Sequence, residues 1–130
     1  MGLSDIHAVD YTVILCSRLA QTKAFYRDVM GFRIEVDGES WVSFRVGSMI
    51  LALRPRQGLP FCDDGPIAPG SASMQLAFRV PLAAIEACHS ELLSAGIPIL
   101  REPTDIQSWS HRTLFFRDPE DNVIEIYAEF

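Results

Sequence analysis

A chain of 130 residues, 48% apolar and 22% charged, has the length and composition of one ordinary globular domain, which excludes a disordered tail or a fibre. Seventeen acidic against eleven basic residues leave a net charge of −6, which argues against a nucleic-acid partner, because phosphate binding needs a basic face. No apolar run approaches the roughly 18 residues of a membrane span, so no membrane partner is expected. The opening Met1-Gly2-Leu3-Ser4-Asp5 carries an acid and no basic cluster, unlike a secretion leader, so a cytoplasmic location is expected. A chain of this size buries roughly 65–70% of its unfolded surface and needs no staple. Cys16, Cys62 and Cys88 are odd in number and widely spaced, which reads as structural.

In chain order, residues 9–16 are rich in β-branched and aromatic types and predict a strand. Ser17 is a candidate N-cap, and apolar groups at three- and four-residue spacing predict a helix over 19–30 that Gly31 stops. Strands follow at 32–36, 40–46 and 48–54, with Asp37-Gly38 and Gly47-Ser48 as turns. Residues 55–72, with Pro55, Pro60, Pro66 and Pro69, predict a long connecting loop of the kind that often carries function. The same order then repeats: a strand at 73–80, a helix opened by Pro81 and stopped at Gly96, and strands at 97–101, 111–117 and 122–129. Asp118-Pro119-Glu120-Asp121 turns the last hairpin. The chain therefore reads as two strand-helix-three-strand modules, 5–54 and 73–130, in a single domain of α+β class.

Two segments carry a family resemblance. Phe25-Tyr26-Arg27-Asp28-Val29-Met30-Gly31-Phe32 resembles the F-Y-r-d-v-L-G-F signature of the vicinal oxygen chelate superfamily, the group of glyoxalases, bleomycin-resistance proteins and extradiol dioxygenases. The tail from Phe115 through Asp118-Pro119 and Asn122 to Glu125 and Tyr127 resembles its D-P-d-G-N-x-i-E-l ending. The resemblance implies paired βαβββ modules whose curled mixed sheets surround a cup. One departure is Asp121, where the family usually has Gly; Asp occupies the left-handed conformation at modest cost.

Metalloenzymes of the family hold a divalent ion through two His and a Glu. On this resemblance the three ligand positions fall on Tyr11, Gln75 and Glu125. The first-module counterpart of Glu125 falls near Leu51 or Ala52. A protonated phenol, a neutral amide and one carboxylate make a poor site, since imidazoles supply much of the affinity for Zn, Ni, Mn or Fe. A metal-free protein is therefore the first expectation, and a divergent divalent-metal site the alternative. His7 stands four residues before Tyr11, roughly 13 Å along a strand, too far to replace the missing imidazole in this register.

Strand parity divides the remaining residues. Ile124 and Ile126 suit the helix side, leaving Val123, Glu125 and Tyr127 on the cup side; Tyr11, Gln75 with Arg79, Trp41, and His111 with Thr113 and Phe115 follow. The expected pocket is largely apolar, with Tyr11, Trp41, Gln75, Arg79, Trp109, His111 and Tyr127 as ligand contacts and Glu125 as a desolvated general base. Each has a plainer alternative: Glu125 and Arg79 as an inward ion pair, Trp41 and Trp109 as packing groups, His111 in a loop. His89, Arg54, Arg56 and Arg101 are expected in solvent, and Phe25 and Tyr26 in the core or an interface. Two functions stay open: a homodimeric binder of a small organic molecule, as the resistance members are, and a lyase, isomerase or dioxygenase that uses Glu125 as base or metal ligand.

Overall fold

In the computed structural model, which describes residues 1–57 and 63–130, the chain divides into two units, Met1–Gly65 and Pro66–Phe130. Cys62, Pro60 and the rest of 58–62 lie outside the described residues. Among those described, no helix is long and apolar enough to cross a membrane.

The first unit holds β1 (Tyr11–Cys16), α1 (Leu19–Ala24), β2 (Arg33–Asp37), β3 (Val42–Val46) and β4 (Met49–Pro55). Its sheet runs β1-β4-β3-β2, with β1 parallel to β4 and the other pairs antiparallel. The second unit repeats this with β5 (Gln75–Arg79), α2 (Ile85–Ser94), β6 (Ile99–Ile106), β7 (His111–Arg117) and β8 (Val123–Glu129), ordered β5-β8-β7-β6. The expected α+β class, with two βαβββ modules of mixed sheet, is what the chain forms. Parallel pairing of the first and last strands follows from connectivity: the first strand leaves through a helix, which carries the chain across the sheet, whereas the last three are joined as hairpins.

Parity sets the core. In the first unit Ile14, Cys16, Val42, Phe44, Leu51 and Leu53 are buried, as are Phe25 and Tyr26. The Tyr26 ring lies 5.1 Å from Phe25, 6.0 Å from Phe32 and 6.1 Å from Phe44. In the second unit Ile85 and Leu92 of α2 are buried, with Leu114, Phe116, Ile124 and Ile126 of the sheet. Each such side chain contributes about 1.5–3 kcal/mol on leaving water.

Three local expectations are corrected. The predicted helix over 19–30 is α-helical only to Ala24 and widens into a π-helical turn at Phe25–Val29, where the Met30 N–H reaches back to the Phe25 carbonyl at 3.0 Å. The cap position of α1 is Arg18 rather than Ser17, with no side-chain cap bond. The strand expected to end at Arg101 runs on to Ile106 despite Pro103; β6 is the sheet edge, and its pairing with β7 shifts between Arg101 and Thr104, where a missing N–H costs little. The expected left-handed turn residue is present, with Asp121 at φ 67°.

Candidate functional site: a buried carboxylate on the second sheet

The face of the second sheet turned away from α2 carries the candidate site residues of this unit. Arg112 marks the other side, donating to Glu86 Oε1 of α2 at 2.7 Å. Alternation along β7 and β8 then puts Thr113 and Phe115, and Val123, Glu125 and Tyr127, on the face opposite the helix. On the central strand β8, Glu125 lies between Ala77 of β5 and Phe115 of β7. It is only 6% exposed. Thr113 Oγ1 donates to its Oε2 at 2.9 Å, and Gln75 Nε2 donates to its Oε1 at 3.4 Å. Both donors are neutral. Thr113 is fully buried, and its Oγ1 also lies 3.3 Å from the Ile126 carbonyl.

One aromatic group adjoins the carboxylate. His111 opens β7 as a strand residue, not a loop residue, and its ring stacks on Tyr127 with centroids 4.4 Å apart and planes inclined by 24°. Tyr127 stands two residues beyond Glu125 on the same face. Trp109, in the 3-10 turn Gln107–Trp109, sits edge-on to His111 at 6.3 Å and is 57% exposed. His111 Nδ1 is buried and has no hydrogen-bond partner among the described residues.

Arg79 does not join this group. It pairs with Glu129 at 2.9 Å, both ends exposed, so the Glu125–Arg79 pair, the plainer alternative for these residues, does not form. The register sets Arg79 opposite Tyr127, within diagonal reach of both acids. Pairing with the exposed one leaves the guanidinium hydrated. In the first unit, Tyr11 is half exposed and meets Trp41 edge to face at 6.2 Å. The register identifies the first-unit counterpart of Glu125: Ala77 faces Glu125 as Val13 faces Ala52, so that position is a fully buried Ala.

The sequence positions matching the family's metal ligands do not fit a catalytic divalent ion. Gln75 could offer a metal only its neutral amide oxygen, its Nε2 donating to Glu125. The set offers one anion and no imidazole, with the phenol of Tyr11 neutral at pH 7. Among the described residues no group of three His, Cys, Asp or Glu is placed to hold a metal.

Sequence reasoning placed Thr113 on this face but missed its role, because the diagonal from Thr113 to Glu125 depends on the β7–β8 register. It also missed a second buried group. Arg54, expected in solvent, is 7% exposed and forks onto Asp64 at 2.7 and 2.9 Å. Arg54 and then the Gln57 N–H hold the Asp64 carboxyl down at about 2. His89 and Arg56 are half-buried rather than solvated, whereas Arg101 is exposed. Burial pushes the Cys88 thiol up, helped by Glu91.

Comparison with known proteins places the fold. The virulence protein STM3117 of Salmonella typhimurium is 26% identical over 123 residues, covering 93% of this chain and 83% of that one. Its crystal structure superposes with a TM-score of 0.76 at 27% identity, over 96% and 98% of the two chains. The metallothiol transferase FosB of Shouchella clausii is 24% identical over 95% of this chain and 81% of its own. A glyoxalase/bleomycin resistance protein/dioxygenase from Nocardioides shares the fold, with a TM-score of 0.83 at 18% identity over 96% and 85% of the chains. The glyoxalase-like domain model matches residues 9–130, both signature segments and both sheets included, and the chain belongs to that family, within the vicinal oxygen chelate superfamily.

Proposed function

We propose that the protein binds a small organic molecule on the α2-distal face of its second sheet, with Glu125 as the anchoring acceptor and no divalent metal. The observation that carries this reading is a carboxylate that is 6% exposed and held, among the described residues, by Thr113 and Gln75 alone, beside a stacked His111–Tyr127 pair. A few fixed polar groups on an apolar, aromatic surface are the usual make-up of a small-molecule site. Two protein donors leave further lone pairs on the carboxylate for a ligand. His111 Nδ1, buried and unbonded, is a second polar atom that a ligand would satisfy. The test is a small-molecule screen by NMR chemical-shift perturbation in the presence of a chelator. Binding that moves the Glu125, Thr113 and Tyr127 signals is expected; ligands that bind only after Zn, Ni, Mn or Fe is added would contradict the reading.

One observation favours a second reading, catalysis with Glu125 as general base. Thr113 can turn its single proton from Glu125 to the Ile126 carbonyl, which supports a carboxyl that takes up a proton in place. A lyase or isomerase would use such a base. Glu125→Gln is then expected to abolish turnover of a ligand found by the screen, and Thr113→Ser to retain more of it than Thr113→Val.

A further inference from the structure

We infer that the ligand of this face is an organic cation, a protonated amine carried on a flat apolar or aromatic group. This rests on the binding reading above and adds the charge of the ligand to it. Glu125 is buried, yet among the described residues no Lys, Arg or His forms an ion pair with it. Of the cations on this sheet face, Arg79 is engaged by Glu129, Arg117 Nη1 donates to the Asp121 carbonyl at 2.8 Å, and Arg101, opposite Phe115 on the edge strand, is exposed and makes no ion pair with Glu125.

A carboxylate removed from water without a counter-charge is costly, and neutral donors offset that cost only in part. A cationic ligand would supply the missing charge by a charge-assisted hydrogen bond, roughly twice as strong as a neutral one. The exposed Trp109 beside the stacked His111–Tyr127 pair offers a ring that attracts cations as well as flat apolar groups. The chain's net charge of −6 attracts cations at long range and repels anions.

The experiment compares three probes of one shape on the wild-type protein: 2-phenylethylammonium, 2-phenylethanol and 3-phenylpropionate, each titrated by NMR with a chelator present. The amine is expected to bind about tenfold or more tightly than either of the others, with shifts centred on Glu125, Thr113, His111 and Tyr127. Glu125→Gln is expected to remove that preference. If the alcohol or the acid binds at these residues as tightly as the amine, the cation inference is overturned while the binding reading stands. If the amine shifts only other acidic residues, or none of the three moves these signals, the binding reading fails and the inference with it. The ranking of probes uses only the wild-type chain, so it decides the matter even if the Glu125 variant does not fold.

Discussion

A hydroxyl carries one proton, so Thr113 Oγ1 gives it either to Glu125 Oε2 or to the Ile126 carbonyl, and not to both. Thr113 is thus a buried neutral donor to the Glu125 carboxylate. Thr113→Val removes a donor from a buried carboxylate and is expected to destabilise the fold by about 1–3 kcal/mol in urea unfolding, with Thr113→Ser close to wild type. Equal stability of the Val and Ser variants would show that the hydroxyl contributes nothing. The Arg54–Asp64 pair gives a pH prediction. Its carboxyl sits at about 2 when folded, so the unfolded chain binds the proton first. The pair's contribution is present above the ordinary carboxyl value near 4 and is lost as pH falls towards about 2. The melting temperature of wild type should therefore fall more steeply than that of Asp64→Asn over this window; parallel curves would contradict it. Neither group was legible in the sequence in full. Parity found Glu125 and its face, but Arg54 and Asp64 pair across 10 positions of sequence, which no periodicity reports.

At the scale of elements, the signature segments are structural clasps. Asp118 is buried and accepts from the backbone N–H groups of Glu120 and Asn122 at 2.9 and 3.0 Å and from the Asn122 side chain at 3.1 Å, closing the turn into β8. Asp118→Ala is expected to cost about 2 kcal/mol or more, read by thermal or urea unfolding, and a loss below about 0.5 kcal/mol would contradict the clasp. Gly31 and Gly96 follow the helical segments with φ of 72° and 74°, and a Cβ at either would meet open space. Gly31→Ala and Gly96→Ala should therefore each cost about 1–2 kcal/mol from backbone strain alone, with Asn better tolerated than Ala. Strand and helix positions were readable because burial on one face imposes a period. The π-helical turn at Phe25–Val29 was not, since it keeps helical spacing up to its start and departs only in the hydrogen bonds that Met30 and Phe32 make. Pro103 concealed the end of β6 because position at a sheet edge is a property of topology.

For the molecule as a whole, the two units share one strand order, and the residues that differ between them account for the proposed chemistry. Where the second sheet has Glu125 on its central strand, the first has Ala52, so the carboxylate belongs to one module only. The homodimer implied by the resemblance is carried forward as a proposal: light scattering should give twice the monomer mass, and a monomer at working concentration would contradict it. The central claim is that Glu125 serves an organic ligand and not a metal ion. The direct test is metal analysis of protein purified without chelator, joined to thermal shifts on adding Zn²⁺, Ni²⁺, Mn²⁺ and Fe²⁺. The expected result is far less than one ion per chain and no stabilisation by any of the four. A stoichiometric bound ion, or several degrees of stabilisation that Glu125→Gln removes, would contradict it.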